Sequence, residues 1–255
     1  MEITLNELLT KGKPLVIKNR EYFETARYVE PFLERMSKYT DNFICNVKCP
    51  DTMTKTEDVL DQGFTRVWVQ AVLPDEFGFY NHQQVVGFLY GIDVRKPVVK
   101  MYSGGLNMAC LNLCLFNPSQ LVCQELEPET PINYKPINDI INKEDEINKA
   151  LTKLTNTVFT SSENNVNTSL GKWLRNSMHY SNEQGFGKVK LAASTILDAY
   201  KLLFEDEESP YFVPMNTETS MFNIYNSFTE IICNKDKDIM NTADKTLLLN
   251  KILTL

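Results

Sequence analysis

The hydrophobic period of this chain changes once along its length, and that change limits the folds open to it. Between residues 41 and 126 the apolar residues fall in short runs: Phe43–Val47, Arg66–Leu73, Val85–Ile92 and Pro97–Tyr102. Each run is rich in β-branched and aromatic side chains and is bounded by turn residues, which reads as strand. Leu121–Leu126 adds a further candidate. In Arg66–Leu73, Val67, Val69, Ala71 and Leu73 fall on one face, and Arg66, Trp68 and Gln70 on the other, because strand side chains alternate. Pro128, Pro131 and Pro136 then mark a connector.

Beyond the connector the spacing becomes helical. Ile140, Ile147, Leu151, Leu154 and Val158 form one stripe. Val166, Leu170, Trp173 and Leu174 form a second, with Ser161, Ser162 and Glu163 as a start signal. Val189, Ala192, Ala193, Ile196, Leu197, Tyr200, Leu203 and Phe204 form the strongest, ended by the acidic loop Glu205–Pro210. Met221, Tyr225, Phe228 and Ile232 follow, and Leu247–Leu253 reads as a terminal helix. Ahead of the strands, residues 1–12 read as a short helix stopped at Gly12, Pro14–Ile17 as a brief strand, and Tyr22–Tyr39 as an amphipathic helix containing Pro31. The expected class is α+β, with a mainly antiparallel sheet of roughly four to six strands in the N-terminal half packed by a helical C-terminal half. With 255 residues, residues 1–255 are expected to form one compact domain, divided into a sheet-rich 14–126 and a helical 137–255.

Composition excludes several function classes. The apolar share is 43% and the charged share 23%, enough for a packed core. No run approaches the roughly eighteen apolar residues of a membrane span, and the start, Met1–Glu7, is acidic rather than basic. The chain is therefore expected inside the cell, with no membrane partner. Cysteines stand at 45, 49, 110, 114, 123 and 233 without a C-x-x-C, and His82 and His179 lie far from any cysteine pair. No metal and no cofactor is expected, and the thiols read as buried and reduced. The net charge of −7 speaks against a generally basic surface. Residues 63–124 are locally more balanced, with Arg66, Arg95, Lys96 and Lys100 against Asp75, Glu76 and Asp93.

Two candidate sites emerge. In the run Tyr102–Asn117, Ser103, Gly104 and Gly105 are read as a turn that ends a strand and opens an apolar helix, an arrangement whose backbone N–H groups suit an anion. Lys100 and Arg95 would be its charge partners. It lacks the Lys-Ser/Thr of a P-loop, so a plain turn explains it as well. The second candidate is a polar aromatic sheet face of Arg66, Trp68 and Gln70, joined by Arg95, Lys100 and either Tyr90 or Tyr102. Stacking rings with scattered cations hold single strands without sequence preference; helices covering that face would instead make Trp68 core. Asn107, Asn112, Asn223 and Asn226 interrupt apolar runs and either line a cleft or bond loop backbone. His82 reads as a solvent-facing loop residue and His179 as a helix C-terminus. Ser177 beside His179 does not make a nucleophile–base pair, Glu230 lacks a second acid, and no catalytic residue is assigned.

The segments Gly63–Leu73, Val85–Gly91, Asn107–Asn112 and Phe222–Glu230 together resemble a family of phage- and plasmid-borne proteins, the domain of unknown function numbered 932. The resemblance covers roughly residues 63–235. Two elements differ: Asp93–Pro97 replaces a Ser-Asn-Ser-x-Asp-Gly-like turn, and a basic, His-containing segment after the Cys-x-Asn motif is missing. The family has no settled activity, so what it implies is context: a phage protein in the bacterial host cytoplasm, or within the virion. On that footing the leading expectation is a non-enzymatic accessory protein that binds single-stranded nucleic acid in recombination or replication. The rival is a protein–protein module: a virion component, packaged cargo or an inhibitor of a host factor. A homo-oligomer fits either. A hydrolase or nucleotide enzyme built on Gly104 and Gly105 is the third reading.

Overall fold

The computed structural model describes residues 5–11, 15–17, 20–22, 25–48, 66–77, 82–93, 96–107, 112–125, 131–160, 191–235 and 242–253. Among the described residues ten strands run in chain order: β1 (Leu15–Ile17), β2 (Arg20–Tyr22), β3 (Phe43–Lys48), β4 (Arg66–Phe77), β5 (His82–Asp93), β6 (Lys96–Asn107), β7 (Asn112–Cys114), β8 (Leu121–Glu125), β9 (Val158–Thr160) and β10 (Glu218–Ser220). The α-helices described are α1 (Leu5–Lys11), α2 (Thr25–Met36), α3 (Lys135–Ile140), α4 (Glu144–Asn156), α5 (Ala193–Phe204), α6 (Met221–Glu230) and α7 (Thr242–Leu253). The fold is α+β: an antiparallel, curled sheet in the N-terminal half and helices in the C-terminal half. The backbone packs as two units. One comprises residues 1–78, 82–105 and 119–143, and the other 79–81, 106–118 and 144–255.

In the first unit the strand order is β3-β4-β5-β6, with β8 also pairing β6; β7 ends the path of the same sheet. The β4–β5 register sets Trp68 opposite Leu89, Gln70 opposite Gly87 and Val72 opposite Val85. The pairing slips between Val72 and Glu76, where Pro74 stands. A proline offers no N–H to a ladder, so it is tolerated at such an irregularity. One face carries Val67, Val69, Ala71, Val86, Phe88, Tyr90, Val99 and Met101, and packs against Tyr28, Val29, Phe32 and Met36 of α2 and Ile137 and Ile140 of α3. Phe88 is at its centre, with ring centroids 5.4 Å from Phe32 and 5.9 Å from Tyr134. Pro31 lies within α2, and Pro136 falls in the first turn of α3, where its missing N–H has no intrahelical partner to lose.

One sequence reading in this unit needs correction. His82 is not a solvent-facing loop residue; it belongs to β5, opposite Phe77, and is fully buried. Its polar neighbour Gln84 is buried too, donating from Nε2 to Ser103 Oγ (2.9 Å) and to the Ile141 carbonyl (2.7 Å). Polar residues at a strand end mimic a loop in sequence, yet side-chain hydrogen bonds let them sit inside.

The second unit is built on α6, where Met221, Phe222, Ile224, Tyr225, Asn226, Ser227, Phe228 and Thr229 are all buried. Ser220 caps it, its Oγ accepting from the Asn223 amide (3.2 Å). A π-turn, Ile231–Lys235, continues α6. The apolar stretch after Gly105, read as a helix, is not one: β6 runs on to Asn107 and residues 112–114 form β7. That strand is fixed to the helical elements by hydrogen bonds. The Leu113 amide donates to Cys233 Sγ (3.4 Å), Asn234 Nδ2 to Asn112 Oδ1 (3.1 Å), and Tyr225 Oη to the Leu115 carbonyl (3.3 Å). The ring of Phe116 lies 5.5 Å from that of Tyr225. In α5 the buried set is Thr195, Ile196, Ala199 and Leu203, so Leu197 points outward at 53% exposure. Val158, expected to continue the α4 stripe, is an exposed β9 residue. The stripe Val166–Leu174, Ser177 and His179 lie outside the described residues.

Candidate functional site

Alternation along the sheet assembles the residues expected to hold a nucleic-acid strand. Trp68 and Gln70 project from one face of β4, Gly87 and Leu89 from β5, and Lys100 and Tyr102 from β6. The Tyr102 hydroxyl is the focus. It accepts from Trp68 Nε1 and from Gln70 Nε2, the latter at 2.7 Å. A tyrosine oxygen has two lone pairs, and these two donors use them. The indole and phenol rings meet edge-on with centroids 6.4 Å apart.

This cluster is closed. Trp68 is 5% exposed, Gln70 and Lys100 3%, and Tyr102 fully buried. Stacking a base needs a free ring face, which Trp68 and Tyr102 do not present. The face expected to be open is therefore interior, and what made it look amphipathic in sequence is an internal hydrogen-bond network. At the β8 edge Cys123 and Glu125, which pair with Lys100 and Val98, are exposed. The side chain of Arg66 and the whole of Arg95 lie outside the described residues.

The anion turn is also reorganised. Ser103, Gly104 and Gly105 are consecutive residues inside β6, buried along with their neighbours. In an extended strand successive N–H groups point to opposite sides, so these three do not converge on one anion as a nest does. Ser103 Oγ meets Gln84 instead.

Of the four asparagines set aside in the sequence, Asn223 follows the loop-bonding reading. Its Nδ2 donates to the Tyr211 carbonyl (2.8 Å) and to Thr219 Oγ1 (3.1 Å). Asn112 pairs with Asn234, and Asn107 and Asn226 are buried. None of these lines the cleft described next.

Within the second unit a cleft of about 290 Å³ opens beside α4. Phe116, Ala150, Leu154 and Met221 give it an apolar lining. Glu146, Lys149 and Lys153 come from the same face of α4, spaced three and four residues apart, and Asn117, Thr157 and Asn250 complete the wall. Asn250 Nδ2 donates to the Phe116 carbonyl and ties α7 to the segment after β7. Lys149, Lys153 and Asn117 are exposed. The lining holds one carboxylate and neither histidine nor cysteine, so it offers no carboxylate pair, no imidazole and no thiol nucleophile. Nothing in the sequence pointed to this cleft, because its walls come from four separate stretches.

Elsewhere partial or complete burial favours the neutral form of several titratable groups. Burial pushes the Cys45 thiol up to about 12. The Tyr134 hydroxyl is raised by burial and by the neighbouring Tyr28, against a lowering effect of Arg35. The Tyr225 hydroxyl is raised well above its usual range, chiefly by burial, with Cys114 and Cys233 adding to the shift. A neutral buried thiol is a poor nucleophile. Among the described residues no group of three His, Cys, Asp or Glu side chains is placed to hold a metal ion, and no helix is long and apolar enough to cross a membrane. No family model, no curated protein and no solved structure matches the chain.

Proposed function

We propose that the protein is a non-enzymatic interaction module that acts by binding another protein. The observation that carries this reading is the burial of Trp68, its indole N–H committed to the Tyr102 hydroxyl. That removes the stacking surface which a single-strand binder would need. An interaction module requires no catalytic pair and tolerates a net charge of −7, whereas phosphate binding usually rests on an excess of Lys and Arg. If the phage origin expected from the sequence motifs holds, the role would be that of a virion component, packaged cargo or an inhibitor of a host factor.

The test is recovery of the tagged chain, after crosslinking, from the cells that produce it. The reading expects one protein in fixed proportion, in a complex that survives nuclease treatment. Recovery that collapses on nuclease digestion would return the single-strand reading to first place.

A further inference from the structure

The cleft beside α4 couples an apolar interior to a cationic rim. Lys149 and Lys153 stand one turn apart on α4, and among the described residues neither side chain makes an ion pair. Like charges at this spacing repel. Against them the lining offers a single carboxylate, Glu146, so the rim is positive on a protein whose net charge is −7. A local field opposite in sign to the whole is a basis for choosing partners, since complementary charge steers association and rejects the wrong one.

The size of the cleft suits a side chain. An apolar cavity of about 150 Å³ takes up a benzene ring, so about 290 Å³ has room for a phenyl or branched aliphatic group. A peptide segment crossing the mouth would set the neighbours of the anchored side chain beside the exposed Lys149, Lys153 and Asn117.

We infer that this cleft is a docking site for an acidic segment of a partner protein, which inserts one aromatic or branched aliphatic side chain between Phe116, Leu154 and Met221 and sets a flanking Asp or Glu against Lys149 and Lys153. This rests on the interaction-module reading and gives it an address. It is a small anchor site of the kind that concentrates binding energy in a few residues.

The test uses the full chain and an array of short peptides. Each peptide has one central Leu, Ile or Phe flanked by Asp and Glu, by Lys and Arg, or by Ser and Gly. The acidic peptides should bind, and the other two sets should bind roughly tenfold or more weakly. The double substitution Lys149→Glu with Lys153→Glu, at exposed positions, should remove that preference. Ala150→Phe, which fills the cleft from within a helix, should block the acidic peptides as well. Circular dichroism and thermal melts establish that both variants are folded.

The inference is overturned if no peptide binds the wild-type chain, if flanking charge makes no difference, or if both variants bind as wild type does. A nuclease-resistant partner complex that persists undiminished in both variants would also overturn it, while leaving the interaction-module reading intact. Absence of any protein complex would instead sink the reading on which it rests.

Discussion

The phenol of Tyr102 occupies the space above Gly87 that any other residue would fill with its side chain. A Cβ built at Gly87 would fall within the ring, against Cζ, Cε1 and the hydroxyl. Gly87 pairs with Gln70 across the β4–β5 ladder, and Gln70 donates to that same hydroxyl. The missing side chain is thus what lets the Tyr102 ring lie over the sheet and reach both its donors.

Gly87→Ala should therefore destabilise the first unit even though alanine suits a strand no worse than glycine. The ring itself must move, which breaks two buried hydrogen bonds. The cost should be at least the usual 1–3 kcal/mol, about, of an overpacked core. Denaturant melts would measure it. In a Tyr102→Leu background the added cost of Gly87→Ala should shrink, because the atoms in conflict are gone.

Tyr102→Phe keeps the ring and deletes the acceptor. Trp68 Nε1 and Gln70 Nε2 would then be buried donors without this partner. Each unsatisfied donor costs about 1–3 kcal/mol. Replacing Gln70 by Leu in the same protein should recover part of the loss, as an apolar pair needs no acceptor. A double-mutant cycle on equilibrium stability would show that coupling.

Ser220→Ala removes the side-chain cap at the start of α6. Because that helix is the core of the second unit, the loss of about 0.5–2 kcal/mol typical of a cap should appear in its melting. Ser220→Asp, which restores an acceptor, should recover it.

Cys45 gives a pH prediction. Its thiol is raised from near 9 to about 12 by burial, so the folded chain holds its proton where the unfolded chain releases it. The contribution of this thiol to stability should be fully present below about pH 9 and should be lost as pH rises toward about 12, since the unfolded state binds fewer protons there. The raised Tyr134 and Tyr225 hydroxyls act in the same direction. At mildly alkaline pH a thiol reagent should label exposed Cys123 well before Cys45. Labelling of Cys45 in the native protein as fast as that of Cys123 would contradict its partial burial and raised pKa.

The strands were legible because their residues are. β3, β4, β5, β6 and β8 each coincide with a β-branched or aromatic run, and the acidic loop Glu205–Pro210 stops α5 where expected. The segment after Gly105 was misread for a physical reason: a short, wholly apolar run has no period, so a buried strand and a buried helix look alike. Leu197 shows the converse, an apolar residue on a plausible stripe that nevertheless faces outward while Thr195 and Ala199 take the buried side. Trp68, Gln70 and Tyr102, read from the sequence as part of one polar face, meet at the Tyr102 hydroxyl. The exposure of that face was not legible, because one strand's sequence carries no information on what covers it. The cleft was invisible for the same reason, its lining drawn from Phe116, α4, Met221 and Asn250.

The most direct test of the account is the emission of Trp68 in a Trp173→Phe background, titrated with single-stranded oligothymidine at low salt. The account predicts a blue-shifted indole, shielded from acrylamide and unchanged by the oligonucleotide. A red-shifted, freely quenched indole whose emission falls saturably with oligothymidine and recovers on adding salt would contradict it.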